Sequence, residues 1–172
     1  MYVQAWQPDA TRRRRRRRRP GSRNGLPGTR SAWSAAALLA WRIVAEQGLV
    51  VSWDGDLSPG TAALYGFSRA LDAGLVVLHE RLRTVLQLET EAILHEAGHH
   101  FTLDVAERYG IAWEPGDERA EGWADAWRRG MEAEASSLAS LEREELLARA
   151  VGVAERVVGR CARVGPRDGH GL

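Results

Sequence analysis

The chain has a single cysteine, Cys161, among its 172 residues. One thiol excludes an internal disulfide and cannot build a thiolate cluster, so any metal site must draw on histidine and carboxylate, and a reducing compartment is expected. Lysine is missing altogether: all 24 basic residues are arginine, a skew that fits a GC-rich coding sequence and carries no functional reading. No apolar run approaches the ~18 residues of a membrane span, so no membrane partner is expected. No internal repeat is visible, and the strand-helix alternation of a parallel βαβ sheet is missing too.

What is present suits one domain with one core. The formal net charge of +1 hides a split, because Arg12 to Arg19 are eight consecutive arginines; without them the charge is −7, and the rest of the chain is acidic. Residues 1–30 combine this run with Pro, Gly, Ser and Asn, which bury little, so the segment is expected to be disordered. Its functional reading is weak attachment to nucleic acid or another polyanion by counterion release; its plain reading is a solvated tail. The run followed by the apolar stretch 32–40 also imitates a signal peptide, but residues 20–30 separate the two parts, Arg42 interrupts the apolar stretch, and no small-residue cleavage site follows. A cytoplasmic location is therefore expected.

Over residues 31–47, Trp33, Ala37, Ala40, Trp41 and Val44 recur at helical spacing, with Gly48 as the stop. Strands are expected at 49–53, 62–67 and 75–79, divided by the turn residues Asp54-Gly55 and Ser58-Pro59-Gly60 and by Gly74. Thr90 is placed as the N-cap of a helix reaching Phe101 or beyond; another runs from Pro115 or Gly116 to Arg129, and two more cover 137–148 and 150–163. The fold class expected is α+β, with a flexible C-terminus at 165–172.

The informative segment is His95-Glu96-Ala97-Gly98-His99, inside the first of these later helices. Histidines at i and i+4 project from one helix face and can meet one zinc ion, whose distance to each nitrogen is about 2.0–2.1 Å. Glu96, turned about 100° from His95, lies beside such an ion and suits a base that takes a proton from water. Chance supplies this pattern about 0.01 times per chain of the same composition. The plain alternative is a surface helix with two solvated histidines. A metzincin-like extension fails, since Thr102 and Val105 stand where its Gly and His belong. His100 and His170 are poorly placed as ligands, so the third must be a carboxylate. Glu121 is the candidate, with Glu118, one turn earlier, as its competitor; Asp125 repeats the i,i+4 spacing from Glu121 and suits a carboxylate that orients a ligating imidazole. Trp113, Trp123 and Trp127 flank this segment and are expected to pack the core. Tyr109 is the candidate to steady an oxyanion, with His79 as its rival.

His-Glu-x-x-His followed about twenty residues later by Glu-x-x-x-Asp resembles the gluzincin pattern; here 21 residues separate His99 from Glu121. More narrowly, the order of a helix and strand over 46–51, Gly60, an apolar strand at 74–78 and the His95–His99 helix resembles the ImmA/IrrE family of metallopeptidases. Glu121-Gly-Trp-Ala-Asp125 is a looser match to that family's Glu-Ala-Asn-x-Phe-Ala signature, with Gly122 and Trp123 in place of its Ala and Asn. The resemblance covers residues 31–130. It implies a small zincin-like metallopeptidase domain, taken as 31–164, with a short antiparallel sheet packed on the motif helix and further helices C-terminal to it. It also implies that the strand at 75–78 offers its edge to an extended substrate, and that the substrate is a protein such as a DNA-binding transcriptional repressor. Two other readings stand beside it. One is a regulator that does not catalyse, with a structural zinc and a DNA-tethering tail; the other is nucleic-acid binding through the tail alone.

Overall fold

The computed structural model describes residues 3–6, 29–58, 60–114 and 116–163. The arginine run 12–19, His170 and the tail 165–172 lie outside the described residues.

Four strands, β1 (Val3–Trp6), β2 (Val50–Asp54), β3 (Ala63–Ser68) and β4 (Ala73–His79), form one sheet in the order β1-β3-β4-β2. Five helices accompany them: α1 (Thr29–Gln47), α2 (Leu86–Arg108), α3 (Glu118–Ala133), α4 (Ala135–Leu138) and α5 (Arg143–Arg163). The class is α+β and mostly helical.

The sheet is mixed, not antiparallel as expected. β3 and β4 form a hairpin with Ala63 opposite Leu78, and β1 runs antiparallel along the other side of β3, but β2 pairs parallel with β4. The reason lies in chain order: β2 is separated from β4 by the whole of β3, which leaves room for the return that parallel pairing needs. β4 is thereby paired on both sides and has no free edge, which overturns the expectation that residues 75–78 receive a substrate strand. Val3–Trp6 also corrects the reading of 1–30 as disordered throughout. Along β4, Gly74, Val76 and Leu78 are buried and alternate with half-buried neighbours, so one face of the sheet meets the core.

α1 ends as expected at Gly48, whose φ of 69° lets Leu49 N donate back to the Val44 carbonyl. Its buried face is Ala36, Leu39, Ala40, Ile43 and Val44; Trp41, expected in the core, is exposed because the apolar stripe is centred one residue away from it. α2 begins at Leu86, a turn before Thr90, which is buried inside the helix instead of capping it. The preceding single-turn helix Glu80–Thr84 leads directly into α2, and Glu89 N bonds the Val85 carbonyl, so no side-chain cap is required. The expected break near 149 is absent. Leu146, Ala150, Val153, Ala154 and Val158 form one continuous buried stripe along α5, and the interruption falls earlier, at 139–142.

α2 is the central element, with α1, α3 and α5 around it and β3 and β4 against it. Burial therefore extends round most of its circumference, from Thr90 to Thr102. Such a helix ordinarily carries apolar residues alone. This one also buries Glu91, His95, Glu96 and His99, and buried polar groups without partners are costly.

Candidate metal centre

His95 and His99 stand one turn apart on α2, with ring centroids 4.8 Å apart and planes at 84°. Across from them α3 begins at Asp117, whose carboxylate accepts from Arg119 N at 2.8 Å and so replaces the expected Pro115 or Gly116 start with a proper cap. α3 buries Ala120, Trp123, Ala124, Trp127 and Met131; Glu121 and Asp125 flank that stripe on the side facing the histidines. Trp127 stacks on Phe101 of α2 at 5.2 Å and donates its Nε1 hydrogen to the Ala150 carbonyl, while Trp123 is buried and Trp113 packs against the core from a half-buried position. The three tryptophans thus pack as expected.

This docking brings one ligand atom from each of His95, His99 and Glu121 within 4.8 Å of the others, close enough to hold one metal ion. Glu121 Oε2 lies 3.2 Å from His95 Nε2, and Oε1 lies 3.7 Å from His99 Nε2. Glu118, in the first turn of α3, is exposed and stands outside the group. Asp125 Oδ1 lies 3.4 Å from His95 Nδ1, on the ring edge opposite Glu121. Glu96 is fully buried, and neither of its oxygens has a hydrogen-bond partner among the described residues; the same holds for both nitrogens of His99. Buried polar atoms without hydrogen-bond partners, as on His99 and Glu96, are expensive in a folded chain. A divalent cation held by one nitrogen of each histidine and one oxygen of Glu121 would give His99 its missing partner, so the residues fit a metal.

The electrostatics are those of an ion-free protein. Burial pushes the Glu96 carboxyl up to about 8, a rise that Glu121 reinforces and His95 opposes. Burial alone would lower His95, but its contacts with Asp125 and Glu121 outweigh that and raise it. His99 is lowered, chiefly by burial. For Glu121, burial acts upward and is overcome by the contacts with His95 and His99, which bring it to about 2. Asp125 is also held well below the usual range, first by His95 and then, against some desolvation, by Arg128.

Three residues that the sequence reading passed over shape the site. Arg128 is only 5% exposed and bridges Asp125 Oδ1 (3.1 Å) and Glu132 Oε1 (2.9 Å), so the carboxylate facing His95 is itself fixed. Its signal was the Asp125, Arg128, Glu132 spacing along one helix face. Tyr65 of β3 stacks on His99 at 6.4 Å and shares a 2.9 Å hydrogen bond with His100 Nδ1, which explains why His100 turns away from the metal group. Gly98 lies against the backbone of Ala124 and sets how closely α3 can approach.

Tyr109 is not brought to the site. It follows the last turn of α2, is 53% exposed, and stands ten residues beyond His99, about 15 Å along the helix axis. His79 accepts a hydrogen bond from Arg81 N and caps the single-turn helix that follows β4. Among the described residues no helix is long and apolar enough to cross a membrane. Comparison with protein-family models, with curated proteins and with solved structures finds no match.

Proposed function

We propose that the chain is a zinc-dependent metallopeptidase, with His95, His99 and Glu121 as ligands and Glu96 as the catalytic base. The observation that carries this reading is the convergence of those three ligand atoms within 4.8 Å beside an unpartnered, fully buried glutamate. The donor set by itself also suits iron(II), which two histidines and one carboxylate commonly hold. The glutamate next to the first histidine favours hydrolysis, because hydrolysis needs a proton acceptor at that place. When bound there, zinc supplies Lewis-acid polarisation of a carbonyl and makes nearby water more acidic.

The chain's own groups supply the remainder. Burial makes the Glu96 carboxylate a stronger base, and in the ionised form that a neighbouring cation would favour it accepts a proton from an attacking water at Oε1 or Oε2 and can return it to the leaving amine. Asp125, 3.4 Å from His95 Nδ1, fixes the tautomer that leaves Nε2 free to ligate. Arg128 and Glu132 hold Asp125 in turn. Glu121 is 33% exposed at its side chain while both histidines are buried, so the group meets solvent through Glu121. By its resemblance to the ImmA/IrrE family, the substrate we propose is a regulatory protein such as a transcriptional repressor.

The test is metal analysis together with cleavage of a protein substrate by the wild type, Glu96→Gln and Glu121→Ala. Glu96→Gln should keep one zinc per chain and lose at least about 100-fold in cleavage rate. Glu121→Ala should lose zinc itself. Undiminished cleavage by Glu96→Gln, or purification with iron in place of zinc, would overturn the assignment.

A further inference from the structure

The sheet has two outer strands, β1 and β2, and they differ in how they stand to the metal helix. α2 packs against β1, β3 and β4. Its histidines meet the sheet at β3, where the Tyr65 ring stacks on His99 and the Tyr65 hydroxyl bonds His100. The strand beside Tyr65 on the outward side is Val3–Trp6, with Gln4 as the Cα partner of Tyr65. Residues opposite each other in an antiparallel pair are about 4.5–5.5 Å apart at Cα. Any backbone in this lane therefore runs past the residue that touches His99.

The lane is held by four residues only, at the short end for a strand. Its attraction is generic, since an extended peptide of any origin offers the same backbone N–H and C=O groups.

We propose that the outer edge of β3 is a docking lane for an extended peptide backbone, and that Val3–Trp6 is its resident occupant. A second peptide reaches the edge beside His99 only by displacing the chain's own strand. The consequence for catalysis, restraint of hydrolysis until displacement occurs, rests on the peptidase reading; the docking lane does not.

The experiment measures binding of a fluorescently labelled synthetic peptide of residues 1–15 by anisotropy, in metal-free protein, so that neither zinc nor turnover enters. It compares the full chain with a Gln4→Pro/Ala5→Pro variant. Successive residues of a strand turn their N–H groups to opposite sides, so the two prolines remove a ladder donor whichever register holds. A resident strand competes at an effective concentration that a free peptide does not reach, so the variant should bind the peptide about tenfold or more tighter than the full chain. A peptide carrying the same two prolines but all its arginines should bind neither protein comparably. Hydrogen exchange at amides 63–68 should quicken in the variant and slow again when the peptide is added. A chain lacking residues 1–6 should behave as the proline variant does. Equal affinity of the peptide for both proteins, equal affinity of both peptides, or unchanged exchange in β3 would overturn the proposal. Loss of peptidase activity as a reading would leave these results standing, and the reverse also holds.

Discussion

Gly98 and Ala124 meet backbone to backbone: a Cβ placed on Gly98 would stand 2.8 Å from the Ala124 carbonyl oxygen and 3.0 Å from its Cα. This contact lies between the two histidines' helix and the helix that carries Glu121. The fourth residue of the His-Glu-x-x-His motif thus decides how near the third ligand comes.

Gly98→Ala is expected to destabilise the fold and weaken the metal site together. Alanine gains about 1 kcal/mol of helix propensity over glycine, but overpacking against backbone costs about 1–3 kcal/mol, so the clash prevails. Urea unfolding and zinc titration should both move, whereas Gly122→Ala, with no atom within 4 Å of the added Cβ, should move neither downward.

Arg128→Met is expected to reduce zinc affinity without removing a ligand. It removes the buried donor that Asp125 and Glu132 share, leaving Arg129 as the arginine still bound to Asp125, and the lost charged hydrogen bonds cost about 1–3 kcal/mol. Loss of a partner that orients a ligating histidine typically lowers metal affinity about 10–100-fold. A competitive chelator titration measures this; Asp125→Asn should fall in the same range, and the double variant should add little beyond either single change.

Stability of metal-free protein should fall as pH rises from about 6.5 to about 8. His95 and Glu96 both have raised values, and a raised group contributes stability that is lost as pH climbs towards its folded value. On the acid side, Glu121, Asp125 and His99 are lowered, so their contributions are lost as pH falls below their ordinary values. Zinc takes neutral imidazoles and favours a nearby anion, so it should stabilise most at the upper end of this window. Urea unfolding with and without zinc checks the trend, and Glu96→Gln should flatten the decline in the metal-free protein.

Tyr109→Phe is expected to leave cleavage and zinc affinity within twofold of wild type, since this side chain is exposed beyond the end of α2. A loss of 100-fold or more in rate would return it to the site.

The parts of this molecule that could be read from sequence are those set by local spacing. His95, Glu96 and His99 share one helix, Glu121 and Asp125 another, and each pair's geometry follows from 3.6 residues per turn. Choosing Glu121 over Glu118 needed the docking of α3, which no local rule contains. The strand positions were legible from apolar runs bounded by glycine and turn residues, but their pairing was not, because parallel and antiparallel neighbours use the same residues. Thr90 was misplaced because a threonine before an apolar run reads as a cap, whereas here the helix had already started from a preceding turn. Trp41 was misplaced because it falls at helical spacing with Trp33, Ala37 and Val44, although the buried stripe of Leu39, Ala40, Ile43 and Val44 runs beside it. β1 offered little signal, being four residues next to a segment dominated by arginine.

The division of the metal group between α2 and α3 also makes it a gauge of folding. Two of its three members are present as soon as α2 is helical, while the third arrives only when the chain has reversed through residues 109–117 and α3 has docked. A partly assembled molecule would therefore hold an ion with two ligands and release it quickly. Tight retention would report that the interface between α2 and α3 has closed.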